Sequence, residues 1–240
     1  SVFLNTPTKS DKQYISTLKG KGYALIDFWR LSLSQMPQAL ATVDADISTI
    51  TPEWIEKLIN PILSKRYDVI APLYTRNRFT AGFTNHVAYP LIYSIYRVKV
   101  RQPLAGEYGY SPTFVNYLLS QPKFKTTFKY GIDFFITANA LNGGFRMFIR
   151  KLGKKFDKPA YPHQGRMFRE VFQSAIFVTR SHLVEELRNG AKVTTEGNQN
   201  GIDNVEIFPH KKSIPNLFKK SRKGFENCKN DTRKYLQELY

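Results

Sequence analysis

Apolar positions along this chain follow two alternating rhythms. From Gly22 to Gln35, the residues Ala24, Leu25, Phe28, Trp29 and Leu31 form one face at helical spacing. Gln38 to Val43 is a short run that reads as a buried strand. Thr51-Pro52-Glu53 has the make-up of a helix start, with a hydroxyl to cap, a proline at the first position and an acid in the first turn. Trp54, Ile55, Leu58, Ile59 and Ile62 then fall on one side. "YDVIAPLY", residues 67–74, predicts a second buried strand, and Thr84 to Tyr96 a helix. Ser111-Pro112 repeats the cap-and-proline start for a short helix.

Gly131 to Asn142 predicts a helix that stops at Gly143-Gly144. Phe145, Met147 and Ile149 alternate with Arg146 and Arg150, as in a half-exposed strand. A long amphipathic helix is expected from Gln164 to Asn189, ending at Gly190, and "SVFLN" is a strand candidate at the start. Strands alternating with helices argue for an α/β fold with a largely parallel sheet. No internal linker or repeat interrupts the pattern, so one domain over residues 1–210 and a basic tail over 211–240 is the expected organisation.

Composition narrows the classes. With 42% hydrophobic residues the 240-residue chain is globular, and no apolar stretch approaches the ~18 residues that would span a bilayer. One cysteine, Cys228, cannot form an internal disulfide, which suits a reducing, cytoplasmic compartment, and no secretory signal is visible. Thirty-six Lys and Arg against 19 acids leave +17, a charge that attracts polyanions or phosphorylated small molecules. Nine basic residues against three acidic ones fall in 211–240, with Phe218, Phe225 and Tyr235 between them. That tail reads as a solvated segment or as a contact for an anionic membrane surface. Nucleic acid is not an expected partner, because charge alone, without a recognition motif, would support it.

The chemistry gathers around three stretches. In "ATVDADISTITPEW", Asp44 and Asp46 follow a buried strand, at the end where open α/β sheets bind ligands. Two carboxylates one residue apart can converge on a hard divalent cation, Mg²⁺ or Mn²⁺, together with substrate phosphates. They can equally cap a turn. "GKG", Gly20 to Gly22, precedes a helix, with Lys21 placed to reach a phosphate, although the full Walker pattern is missing. "RQPLAGEYGYS", 101–111, carries Gly106 and Gly109, which permit close approach of a ligand, and Glu107 within the loop.

The order GKG, VDADISTITPEWI, DVIAPLY, RQPLAGEYG and YGID resembles the retaining GT-A glycosyltransferases. The likeness is to the branch of mannosylglycerate and glucosyl-3-phosphoglycerate synthases and their uncharacterised relatives, and it covers roughly residues 19–180. It implies a GT-A-like (nucleotide-diphospho-sugar transferase) fold, a mixed, mostly parallel sheet flanked by helices. It implies a metal-dependent hexosyltransferase acting on a nucleotide sugar and a small anionic acceptor. By that resemblance, Asp44 and Asp46 are the metal-binding D-x-D pair, with Asp46 the direct ligand. Lys21, Asp44, Leu104, Ala105 and Gly106 would hold the nucleotide sugar, and Glu107 and Asp133 would be the catalytic carboxylates. Arg76, Thr84, Asn85 and Arg101 would face the acceptor.

Two features depart from that pattern. Phe156 stands where the family carries a metal-binding histidine, leaving His163 as the candidate third ligand. Only 43 residues precede Asp44, room for about one βα unit where the family has about two, so an N-terminal truncation is expected. Alternatives are a non-catalytic or peripheral-membrane binding protein on the same scaffold, and a polyprenyl-phosphate sugar transferase. A homodimer stays open.

Overall fold

The structure, a computed structural model, describes residues 18–75, 81–156, 164–184 and 193–196. The first strand candidate, Arg76, His163 and the basic tail lie outside the described residues.

The elements follow in the order α1 (Lys21–Ser34), β1 (Leu40–Thr42), α2 (Pro52–Leu63), β2 (Val69–Thr75), a π turn (Thr84–Ala88), α3 (Tyr89–Tyr96), β3 (Tyr108–Tyr110), α4 (Pro112–Ser120), α5 (Ile132–Asn142), β4 (Met147–Lys154), α6 (Gln164–Val184) and β5 (Val193–Thr195). The expected helices and the two long strands are present; the last helix is described as far as Val184, and its expected end at Asn189 and Gly190 lies outside the described residues. The 84–96 segment differs in detail, opening with a π turn before it becomes α3. β3 and β5 are additions, each only three residues long.

The five strands lie in the order β1-β3-β2-β4-β5. β2 and β4 pair in parallel, as do β4 and β5, whereas β3 runs antiparallel between β1 and β2. Four strands therefore share one direction and β3 alone opposes them. Among the described residues β1 flanks the sheet, so the Asp44 loop leaves an outer strand and not a central one.

Local chemistry explains most of the boundaries. Ser111 caps α4, its hydroxyl accepting from the Phe114 N–H at 3.2 Å. Thr51 holds the same position on α2, but its backbone carbonyl, not its hydroxyl, takes the Trp54 N–H. α2 buries Trp54, Leu58 and Ile62 against the sheet. Gly109 makes that approach feasible, since a Cβ there would overlap the Leu58 carbonyl oxygen. α5 is buried all round from Ile132 to Leu141, so its polar side chains must find partners inside the protein: Asp133 meets Lys21, Thr137 meets the Pro103 carbonyl and Asn139 donates to the Phe135 carbonyl. α6 crosses its start at Gly131, where the Ser174 hydroxyl donates to the Gly131 carbonyl at 2.9 Å.

Candidate functional site

Thr42, Thr75 and Lys154 end the strands β1, β2 and β4, and Tyr108, which begins β3, is the register partner of Thr42. The residues just beyond these points meet along one edge of the sheet. They are Asp44 after β1, Tyr74 near the end of β2, Glu107 before β3 and Lys155 after β4. Two helix starts reach the same edge: Lys21 is the first residue of α1, and Asp133 sits in the first turn of α5.

These side chains form a row of alternating charge. The Lys21 ammonium lies 3.0 Å from Asp133 and 2.9 Å from Asp44. The other Asp44 oxygen is 3.8 Å from Lys155, whose ammonium donates to both Glu107 oxygens at 2.7 and 2.9 Å. The Tyr74 hydroxyl closes the row by donating to Glu107, and the Lys155 ammonium lies 5.0 Å from the Tyr74 ring centre.

The backbone around the row is pinned. Thr42 donates to the Gly106 carbonyl at 3.3 Å, and Thr137 of α5 donates to the Pro103 carbonyl at 3.0 Å. The Q-P-L-A-G-E loop is thereby held against both β1 and α5. Ala105, Gly106 and Glu107 are buried and Leu104 is half-buried. Gly106 packs directly on Asp44, because a Cβ there would fall on the carboxylate. The lack of a side chain at Gly106 is what admits Asp44. Gly20 and Gly22 likewise allow the start of α1 to press on the backbone of Thr127 and Phe128.

Burial sets the electrostatics. It pushes the Asp133 carboxyl up to about 7, more than Lys21 can offset, with Asp44 and Glu107 adding repulsion. Burial also raises Glu107, opposed chiefly by Lys155. For Lys21 burial works against the ammonium, but Asp133 and Asp44 overcome it and hold the group above its ordinary value.

Asp46 differs from the row. Ile47 anchors in the core and turns the loop so that Asp46 is exposed, and it makes no ion pair among the described residues. The 48–49 stretch beyond it is clipped to the end of β4. Ser48 N–H donates to the Phe156 carbonyl at 3.2 Å, and the Phe156 N–H donates to the Thr49 hydroxyl at 3.2 Å. The Phe156 ring itself is exposed.

The fit for a divalent cation follows from these donors. Asp44, Glu107 and Asp133 are each held by an ammonium, and among the described residues no three His, Cys, Asp or Glu side chains gather to hold a metal. Asp46 is the open carboxylate. It fits the mode in which Mg²⁺ or Mn²⁺ takes one carboxylate and draws its other ligands from phosphates and water.

The structure brings Lys21, Asp44, Gly106, Glu107 and Asp133 together, residues that the motifs had singled out. Thr84 is buried in the π turn, and Arg101 stacks over Tyr89 at 4.2 Å on the helix that follows Thr84 and Asn85. Lys155 and Tyr74 escaped sequence reasoning. A lysine closing an alternating strand reads as solvated, and a tyrosine inside "YDVIAPLY" reads as core.

No known protein-family profile matches the chain. Nor does any curated protein. Solved structures do match. Glucosyl-3-phosphoglycerate synthase from Mycobacterium tuberculosis in complex with phosphoglyceric acid is 22% identical at a TM-score of 0.57, over 70% of this chain and 58% of that one. The same enzyme in complex with Mn²⁺, UDP-glucose and phosphoglyceric acid is 21% identical at 0.56, over 70% and 57%. A mycobacterial protein is 23% identical at 0.55, over 70% and 55%. This chain thus spans less than three fifths of the length of each of these structures. The likeness establishes a GT-A-like fold, a mixed sheet flanked by helices.

Proposed function

We propose that the chain is a glycosyltransferase domain moving a hexose from a nucleotide sugar, of the GDP-mannose or UDP-glucose type, to a small anionic acceptor such as glycerate or phosphoglycerate. One observation carries this reading. At the carboxyl edge of a GT-A-like sheet, Asp44 of the D-x-D loop packs on Gly106 of the Q-P-L-A-G-E loop, with Lys21 joined to both Asp44 and Asp133. The solved neighbours bind UDP-glucose, Mn²⁺ and phosphoglyceric acid, which supports the substrate classes.

In this reading Lys21 turns from its carboxylates toward the donor diphosphate, aided by its place at a helix N-terminus. Asp46 would hold Mg²⁺ or Mn²⁺, with His163 as the further proposed ligand. The cation would supply neutralisation of the departing diphosphate. Leu104, Ala105 and Gly106 line the sugar. Transfer breaks the bond from the anomeric carbon to the diphosphate oxygen and forms one to an acceptor hydroxyl, whose proton must leave. Asp133, raised toward neutrality, is the carboxylate suited to hold that proton. Glu107, buried and bound by Lys155 and Tyr74, keeps the loop in place. Arg76, Arg101, Thr84 and Asn85 are proposed to face the acceptor anion.

The test is incubation with UDP-glucose or GDP-mannose, Mn²⁺ or Mg²⁺, and 3-phosphoglycerate or glycerate, read by mass spectrometry. A product heavier by one hexose, with free nucleoside diphosphate, is expected. Absence of nucleotide binding by calorimetry would overturn the reading. A non-catalytic binding protein is favoured by one observation, that every carboxylate of the buried row is already ion-paired. It predicts donor binding with no product. Contact of residues 211–240 with anionic membranes is a separate proposal, tested by vesicle co-sedimentation with and without that stretch. Among the described residues no helix is long and apolar enough to cross a membrane.

A further inference from the structure

In the reading above Lys155 serves only to hold Glu107, yet its ammonium reaches a second carboxylate as well, Asp44 at 3.8 Å. The Lys155 side chain is 3% exposed and that of Glu107 is 0% exposed, so this ion pair is among the most deeply buried charges described. Two carboxylates, Asp44 and Glu107, approach the same ammonium from different loops. Without a cation between them they would repel each other in a medium that screens charge poorly.

The backbone around Lys155 ties the same loops together. Its own N–H donates to the Thr75 carbonyl at 3.2 Å, fastening it to the end of β2. The next residue, Phe156, is bonded to Ser48 and Thr49 beyond the D-x-D pair. Just upstream, the register of β4 against β2 slips between Leu73 and Tyr74, skipping Leu152, and Gly153 takes a φ of +94°. Such irregularities re-aim the end of a strand. Here the slip precedes the turn that buries Lys155.

We propose that Lys155 is a built-in cation: its ammonium bridges Asp44 and Glu107 and holds the D-x-D loop against the Q-P-L-A-G-E loop, as a bridging divalent ion would. Lys155 is in this sense a positioning residue. The proposal concerns half-buried Asp44 and buried Glu107, is distinct from any ion held at exposed Asp46, and does not depend on the chain transferring a sugar.

Replacing the ammonium tests it. Lys155→Ala leaves two carboxylates and the Tyr74 hydroxyl around the place the ammonium held, a donor set of hard oxygens that suits Mn²⁺. The probe is Mn²⁺ alone, without nucleotide, on the metal-stripped chain, followed by calorimetry and thermal unfolding. The variant is expected to unfold at lower temperature than the parent chain in EDTA. It should bind Mn²⁺ at least tenfold more tightly than the parent and recover much of its lost melting temperature when the ion is added. Lys155→Arg, which keeps a cation, should resemble the parent and gain nothing from Mn²⁺. Equal Mn²⁺ affinity in the parent and in Lys155→Ala would overturn the proposal, as would an unfolding temperature in Lys155→Ala that Mn²⁺ leaves unchanged. If Lys155→Ala does not fold, Lys155→Ser carries the same comparison, because it removes the charge, leaves the ammonium's place open and keeps a small polar group in the buried site.

Discussion

Replacing Gly106 with alanine puts a methyl group where the Asp44 carboxylate lies. Gly106 is not in the left-handed region of backbone space, so alanine brings no conformational strain of its own. The cost must come from the collision. Either the loop moves, at the ~1–3 kcal/mol typical of overpacking, or Asp44 withdraws from Lys21, now 2.9 Å away. Breaking a fully buried pair costs about 3–5 kcal/mol. The Asp44 side chain is 29% exposed, so water would recover part of that loss. A destabilisation of about 1–3 kcal/mol is therefore expected, roughly 2–4 °C in melting temperature per kcal/mol for a chain of this size. Urea unfolding of the single variants Gly106→Ala and Asp44→Ala, and of the double variant, isolates the contact. With the carboxylate gone, the three atoms nearest the added methyl group are removed, so the double variant should be more stable than additivity predicts by at least ~1 kcal/mol. Additive effects would refute the argument, because the collision would then be with something other than Asp44.

Asp46→Asn should leave stability within ~0.5 kcal/mol, as expected for an exposed residue without an ion pair, while Mn²⁺-dependent UDP binding by calorimetry is lost; equal loss of both would return Asp46 to a turn-making role. Asp133 is raised to about 7, so between the ordinary aspartate range and neutrality the folded chain binds more protons than the unfolded one. Its contribution to stability is therefore present at low pH and lost as pH rises through 7. Urea unfolding at pH 5 and pH 8 should show a smaller pH dependence in Asp133→Asn than in the parent chain. At the opposite edge of the sheet, Asp68 accepts from the Arg146 guanidinium at 2.9 and 3.0 Å and from its backbone N–H at 3.1 Å. Asp68→Ala should cost about 1 kcal/mol, discounted for the exposure of the pair, and leave UDP affinity unchanged; a loss of affinity would mean that the two edges are coupled.

Much of this molecule is local enough to read from the chain. The helical face of α2, the buried run of β2, the Ser111 cap and the Gly143-Gly144 stop each rest on neighbours within a turn or two. The D-x-D and Q-P-L-A-G-E stretches were legible through the resemblance of their order along the chain to that of a known family; Asp44 and Asp46 alone could equally have capped a turn. β3 was not, since Tyr108-Gly109-Tyr110 is too short to show a period and is buried on both faces. The partners of the charged groups were beyond reach for the same physical reason. Lys21 meets Asp133 across 112 positions and Lys155 meets Glu107 across 48. A lysine looks the same in sequence whether water or a carboxylate surrounds it. Only the sheet order, which sets the ends of β1, β2 and β4 beside the start of β3, decides that Lys155 is buried between two acids while Asp46, two residues from Asp44, stays in water.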